Sequence, residues 1–178
     1  MTNNFLNPDN IISKLTIKNG SQVADFGCGS GYFSFAAARK VGVDGKVYAV
    51  DVQKSVLSAL QSKIRLNNVA SIKTIWTDLE QTNSTKIKDD SLDAVLLVNV
   101  LYQSNNHKPI YEEADRVLKD GGQILIVEWK PGTGSPGPND EQRLDPDKIK
   151  TEFGKYGFDI KEELNAGSHH FAFILAKN

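Results

Sequence analysis

The chain has 178 residues, with 21 Lys and Arg against 22 Asp and Glu for a formal net charge of −1. That balance excludes a general electrostatic attraction to nucleic acid or anionic membranes, and the single cysteine, Cys28, excludes an internal disulfide. The length fits one domain burying its own core, residues 1–178 with 1–20 as an N-terminal cap segment. No run approaches the roughly 18 apolar residues of a membrane span, and the first eight residues lack the pattern of a signal peptide. These features predict a soluble cytoplasmic protein.

In chain order, residues 10–17 read as a short helix and 22–26 as an apolar strand. That strand runs into Val23-Ala24-Asp25-Phe26-Gly27-Cys28-Gly29-Ser30-Gly31, a tight turn whose alternate glycines remove the Cβ atoms that would hold a ligand off the backbone. Residues 32–41 form a small-residue helix, 46–50 a strand ending at Asp51, 54–66 a helix with apolar residues at helical spacing, and 72–76 a strand before Asp78. The run 92–98 is almost wholly apolar, as in a strand covered on both faces. A helix over 110–118, stopped by Gly121-Gly122, precedes a strand over 123–128. Residues 131–138 carry three Pro and three Gly and read as a surface loop. A helix over 146–156 follows. The apolar segments 158–164 and 170–176 lie too close for a parallel crossover, so they form an antiparallel hairpin. Alternating strands and helices predict an α/β fold with a parallel sheet.

Such sheets bind ligands beyond the carboxyl ends of their strands. Here Asp25, Asp51, Asp78 and Asn99 fall at or just after four strand ends in succession, a pattern that turn and cap roles alone do not account for. Gly27 and Gly29 fit the first two positions of a dinucleotide fingerprint, and Asp51 stands roughly 20 residues on, but Tyr32 occupies the third glycine position. That weakens a nicotinamide reading. No Gly-Lys-Ser/Thr follows the turn, so a Walker A loop is absent.

The stretch Val23–Gly31, Val50-Asp51, Thr77-Asp78-Leu79, Leu92-Asp93-Ala94-Val95 through Asn99, and Arg116-Val117-Leu118-Lys119-Asp120-Gly121-Gly122 together resemble the ordered motifs of class I S-adenosylmethionine-dependent methyltransferases. Within that class the chain is most similar to the small-molecule enzymes related to quinone biosynthesis. The resemblance runs from about residue 21 to the C-terminus. It implies a Rossmann-like three-layer α/β/α sandwich on a seven-stranded, mostly parallel sheet with an antiparallel last strand. It implies S-adenosylmethionine as cofactor, S-adenosylhomocysteine as product and in-line methyl transfer to a small molecule. It also implies cofactor-binding roles for Asp25, Gly27, Cys28, Gly29, Gly31, Tyr32, Asp51, Val52, Asp78, Leu79 and Asn99. Asp25 and the Asn99 carbonyl face the ammonium, Asp51 the ribose, Val52 one adenine face, and Asp78 with the Leu79 backbone the adenine edge.

Relatives carry a histidine base after the fourth strand; here that segment reads Asn99-Val100-Leu101-Tyr102-Gln103. Tyr102, His107 and Glu128 are the candidates for a base, each with a packing or surface alternative. One cysteine disfavours arsenic-type methylation, which uses several, and His107, His169 and His170 show no metal-ligand spacing. His169 and His170 read as turn or edge residues. Substrate recognition falls to residues 5–12, 102–108 and 129–143, with Trp129 either a site wall or core, and Arg143 either an acid-binding group or a solvated arginine. Alternative functions are protein side-chain methylation and a non-catalytic cofactor-binding partner subunit; oligomeric state is left open.

Overall fold

An apolar strand needs cover on both faces, and residues 92–98 obtain it at the centre of a sheet. The computed structural model describes residues 6–178. The strands are β1 (Gln22–Phe26), β2 (Lys46–Asp51), β3 (Ile72–Trp76), β4 (Leu92–Val98), β5 (Leu118–Trp129), β6 (Phe158–Leu164) and β7 (His170–Lys177). They form one seven-stranded sheet in the order β3-β2-β1-β4-β5-β7-β6. β1 to β5 pair in parallel, and β7 runs antiparallel to both β5 and β6. The expected mostly parallel sheet with a reversed last strand is therefore present.

Among the described residues, five α-helices cover it: α1 (Pro8–Ile12), α2 (Tyr32–Val41), α3 (Lys54–Leu66), α4 (His107–Val117) and α5 (Pro146–Gly154). One core joins Ile11, Ala37 and Leu60 of the first three helices to Val23, Leu96 and Val127 of the sheet. The opposite core joins Ile110 and Ala114 of α4 and Phe153 of α5 to Phe26, Leu97 and Ile126. Ala36, Ala37 and Ala38 are buried, which lets α2 lie close to the strands.

Several element boundaries differ from the sequence reading, and two of the differences have a clear local cause. The first helix spans Pro8–Ile12 rather than 10–17, because Asn7 caps it, accepting from the Asn10 N–H at 3.1 Å, and Pro8 opens its first turn. Beyond it, the Thr16 N–H donates to Gln123 Oε1 at 2.7 Å, so this stretch is pinned to the sheet instead of extending the helix. The second difference concerns Gly121-Gly122. They do not stop α4: that helix ends at Val117 because Leu118 is extended (φ −79°, ψ 135°) and pairs with Leu92. The register then jumps to Ala94 opposite Gln123, so Lys119–Gly122 bulge out of β5, with Gly121 at φ 73°. Lys119 Nζ reaches back to Asp93 Oδ1 at 2.8 Å across the bulge.

From β1 the sheet winds outward through β2 and β3, and from β4 it winds the other way through β5. The crevice beyond the carboxyl ends of β1 and β4 is thus the topological switch point where such sheets take ligands. Because β7 is antiparallel, its first residue stands at this same edge, with His170 opposite Trp129.

Candidate functional site

The turn leaving β1 is fixed by the neighbouring strand: the Gly27 and Cys28 N–H groups donate to the Val50 carbonyl at 2.8 and 2.9 Å. Gly27, Gly29 and Gly31 all have positive φ, at 73°, 49° and 82°. Their surroundings differ. A Cβ at Gly27 would lie 2.5 Å from Val100 Cγ2 and one at Gly31 2.4 Å from Leu60 Cδ1, whereas one at Gly29 meets nothing within 4 Å. A side chain at Gly27 or Gly31 would thus point at protein, and only Gly29 opens its bare face to the crevice.

Asp51, the last residue of β2, accepts from the Gly29 N–H through Oδ2 at 3.0 Å and from the Gln53 N–H through Oδ1 at 2.9 Å. The carboxylate thus ties the strand end to the glycine turn, and each oxygen keeps a lone pair for another donor. Next along the edge, exposed Asp78 accepts from the Glu80 N–H at 2.9 Å, and Leu79 is buried beneath. Glu80 in turn accepts from Ser104 Oγ at 2.7 Å and the Asn105 N–H at 3.0 Å, clamping this turn onto the segment after β4. These residues, with exposed Val52, line a cavity of about 200 Å³.

Gly27, Gly29 and Gln103 also line a second cavity of about 570 Å³, shared with Asp25, Cys28, Tyr32, Phe33 and Asn99. Asp25 is buried and accepts from Ser34 Oγ at 2.6 Å; burial pushes its carboxyl up to about 6, against that hydrogen bond. The Cys28 thiol is pushed up by burial, with Asp25 and Asp51 nearby adding to the effect, which disfavours the thiolate form that a nucleophile needs. Asn99, at φ 52°, closes the row. The two cavities make one groove across the switch point, with Gly29 and Gln103 at their junction.

A family model described as "Methyltransferase domain" matches residues 17–171. The chain belongs to this methyltransferase family. An arsenite methyltransferase from Halobacterium salinarum is 28% identical over 130 residues, covering 73% of this chain and 32% of that protein. A ubiquinone/menaquinone biosynthesis C-methyltransferase from Hydrogenovibrio crunogenus is 29% identical over 113 residues, covering 64% and 44%. The chain thus spans half or less of the length of the curated relatives it matches. A crystal structure of a SAM-dependent methyltransferase from Aquifex aeolicus shares the fold with a TM-score of 0.89 at 20% identity, covering 98% of this chain and 92% of that one.

In this methyltransferase domain the three candidate bases lie off the groove. Glu128 is fully buried under the turn after β4, where Oε1 accepts from the Leu101 N–H at 2.7 Å. His107 Nε2 lies 2.8 Å from the Leu101 carbonyl and faces Tyr111 on the α4 side. Glu128 and His107 therefore grip both backbone polar groups of one residue, Leu101, and shape the turn that delivers Val100 and Gln103 to the groove. Tyr102 is half-buried and lines neither cavity.

Burial pushes the Glu128 carboxyl up to about 7 from 4.5, against the lowering effect of the Leu101 N–H and its neighbours. Between those values the folded chain keeps a proton that the unfolded chain releases, so this group's contribution to stability falls as pH rises through the window. At about 1.4 kcal/mol per pKa unit, the loss by pH 8 is on the order of 3 kcal/mol. Glu128→Gln removes that slope. Its melting temperature, relative to wild type, should climb by roughly 6–12 °C between pH 5 and pH 8; a difference that stays flat with pH contradicts the assignment.

Tyr32 does not press its bulk against the strands. The side chain is 72% exposed with Lys63 Nζ 5.7 Å from its ring centre, and the close helix contact falls at Gly31 instead. Arg143 matches neither reading made of it. Its side chain is 1% exposed, and it donates to the carbonyls of Lys130, Gly134, Pro136 and Pro138 and to Thr133 Oγ1, organising the 131–138 loop from within. Phe5, from the proposed recognition segment, lies outside the described residues. Sequence reasoning named Gln103 only as part of the 102–108 recognition segment, and it missed Glu80 and Ser34, which carry no local signal. It also undervalued His170, whose place at the ligand edge follows from the antiparallel hairpin.

Proposed function

We propose that the chain transfers a methyl group from S-adenosylmethionine to a small-molecule acceptor. The observation that carries this reading is the continuous groove in which Asp51, the open face of Gly29, Asp25 and Asn99 follow one another across the switch point. The residues fit the cofactor's chemistry. Asp51 offers acceptors for two hydroxyls, Asp78 and the Leu79 backbone suit an adenine edge, and exposed Val52 offers an apolar face. Asp25 and the Asn99 carbonyl suit an ammonium. When bound, the cofactor supplies an electrophilic sulfonium methyl.

The chain's own contribution is positioning, which alone accounts for large accelerations when two reactants are held in line. Among the described residues, the larger cavity has no lysine, arginine or histidine in its lining, and its one acid is bonded to Ser34. This favours an uncharged acceptor whose nucleophilic atom needs no protein base. The relatives are named for arsenite and for demethylmenaquinone. A single buried cysteine within these residues gives arsenic chemistry no thiolate set.

The test is to mix the purified chain with methyl-labelled S-adenosylmethionine and fractionated metabolite extract. Label is expected in small-molecule fractions. Label in protein instead favours side-chain methylation, and cofactor binding without any transfer favours a non-catalytic module.

A further inference from the structure

The sheet edge beside the groove carries a cluster that runs from Asn99, at the groove, back to residues with no part in holding the methyl donor. Asn99 leaves β4 with a left-handed backbone, and its side-chain Nδ2 lies 3.2 Å from His170 Nε2. His170 stands opposite Trp129 in the sheet, and their rings lie 4.1 Å apart. Behind Trp129 the 131–138 loop passes so close that a Cβ at Gly137 would come within 2.6 Å of the indole. On the groove side, the Asn99 carbonyl accepts from Gln103 Nε2 at 2.7 Å, and both residues line the larger cavity.

Two facts give this cluster a direction. Among the described residues, Asn99 Oδ1 and Trp129 Nε1 are two of four buried side-chain polar atoms without a partner in the chain, so this cluster holds hydrogen-bonding capacity that its own packing does not use. In addition, burial, with His169 and Arg143 adding to it, holds the His170 imidazole down to about 4. At neutral pH the ring therefore has one nitrogen free to accept, and the Asn99 amide is the donor that reaches it.

We propose that His170 is a positioning residue for the groove: its unprotonated Nε2 takes the Asn99 amide proton, holds Asn99 in its left-handed turn, and thereby aims the Asn99 carbonyl and Gln103 at the amino-acid end of the bound methyl donor. This role rests on the S-adenosylmethionine reading of the groove. A His170 that only packs against Trp129 makes a different prediction, which two substitutions separate.

His170→Phe keeps a ring against Trp129 and loses the acceptor; His170→Gln loses the ring and keeps an acceptor. With S-adenosylhomocysteine as the calorimetric probe, His170→Phe is expected to bind about three- to tenfold more weakly with an unchanged circular dichroism spectrum, and His170→Gln to recover to within about twofold of wild type. In the wild-type chain, the same probe should shift the His170 ring-nitrogen resonances and leave those of His107, on the α4 face, in place. Wild-type affinity in His170→Phe, or equal weakness in His170→Gln, overturns the positioning role and leaves the cofactor reading standing. Absence of binding by the wild-type chain overturns both. Should His170→Phe fail to fold, the resonances decide, and unmoved His170 signals overturn the role.

Discussion

Asp51→Ala is expected to weaken S-adenosylhomocysteine binding by about 10- to 150-fold, the equivalent of roughly 1.5–3 kcal/mol for hydrogen bonds to a charged acceptor. The side chain has two tasks in the structure. It presents a carboxylate to the groove, and it holds the glycine turn through the Gly29 N–H while fixing the turn just ahead of α3 through the Gln53 N–H. Alanine removes both. Asp51→Asn separates them only in part, because one amide oxygen cannot serve the two backbone donors that the carboxylate serves. Its affinity should therefore also fall. Titration calorimetry at neutral pH reads both variants, and an Asp51→Ala chain that binds like wild type removes Asp51 from the site.

The glycine turn gives a second large effect, split between two positions that look alike in the sequence. Gly27→Ala places a methyl 2.5 Å from Val100 Cγ2 at a φ of 73°. Left-handed backbone costs about 1–2 kcal/mol and overpacking about 1–3 kcal/mol, so stability should drop by roughly 2–5 kcal/mol and the melting temperature by about 5–15 °C. Gly29→Ala meets no neighbour within 4 Å. It carries only the backbone penalty of about 1–2 kcal/mol, so the chain should fold and melt a few degrees lower. Its methyl, however, projects into the groove, and S-adenosylhomocysteine affinity should fall by at least about tenfold. A Gly29→Ala chain that binds normally shows that the groove floor is not in contact with the ligand. A Gly27→Ala chain as stable as wild type shows that Val100 yields more readily than its packing indicates.

How much of this was legible in the sequence depended on the range of the interaction involved. The strand ends with their acids, the glycine turn and the closing hairpin are local patterns, and the structure places them where those patterns put them. Gly121-Gly122 has the local form of a helix stop, but strand pairing of Leu118 with Leu92 claims the backbone first and leaves the glycines to a bulge. Arg143 and His170 are further cases. Nothing near Arg143 in the sequence shows that five oxygens of a Pro- and Gly-rich loop converge on it. His170 meets Asn99 across 71 residues of sequence, through a strand order that local patterns do not specify. Glu128 and His107 have the chemistry of bases, yet tertiary packing sets both against the Leu101 backbone.

Whether one groove holds one cofactor in one direction is tested most directly by a crystal structure of the chain with S-adenosylhomocysteine. The predicted result has the ribose hydroxyls on the Asp51 carboxylate, the adenine between Val52 and Leu79 with its amine toward Asp78, the chain of the ligand across Gly29, and its ammonium near Asp25 and the Asn99 carbonyl. Ligand density elsewhere on the molecule, or in the groove with Asp51 still bonded only to Gly29 and Gln53, contradicts it.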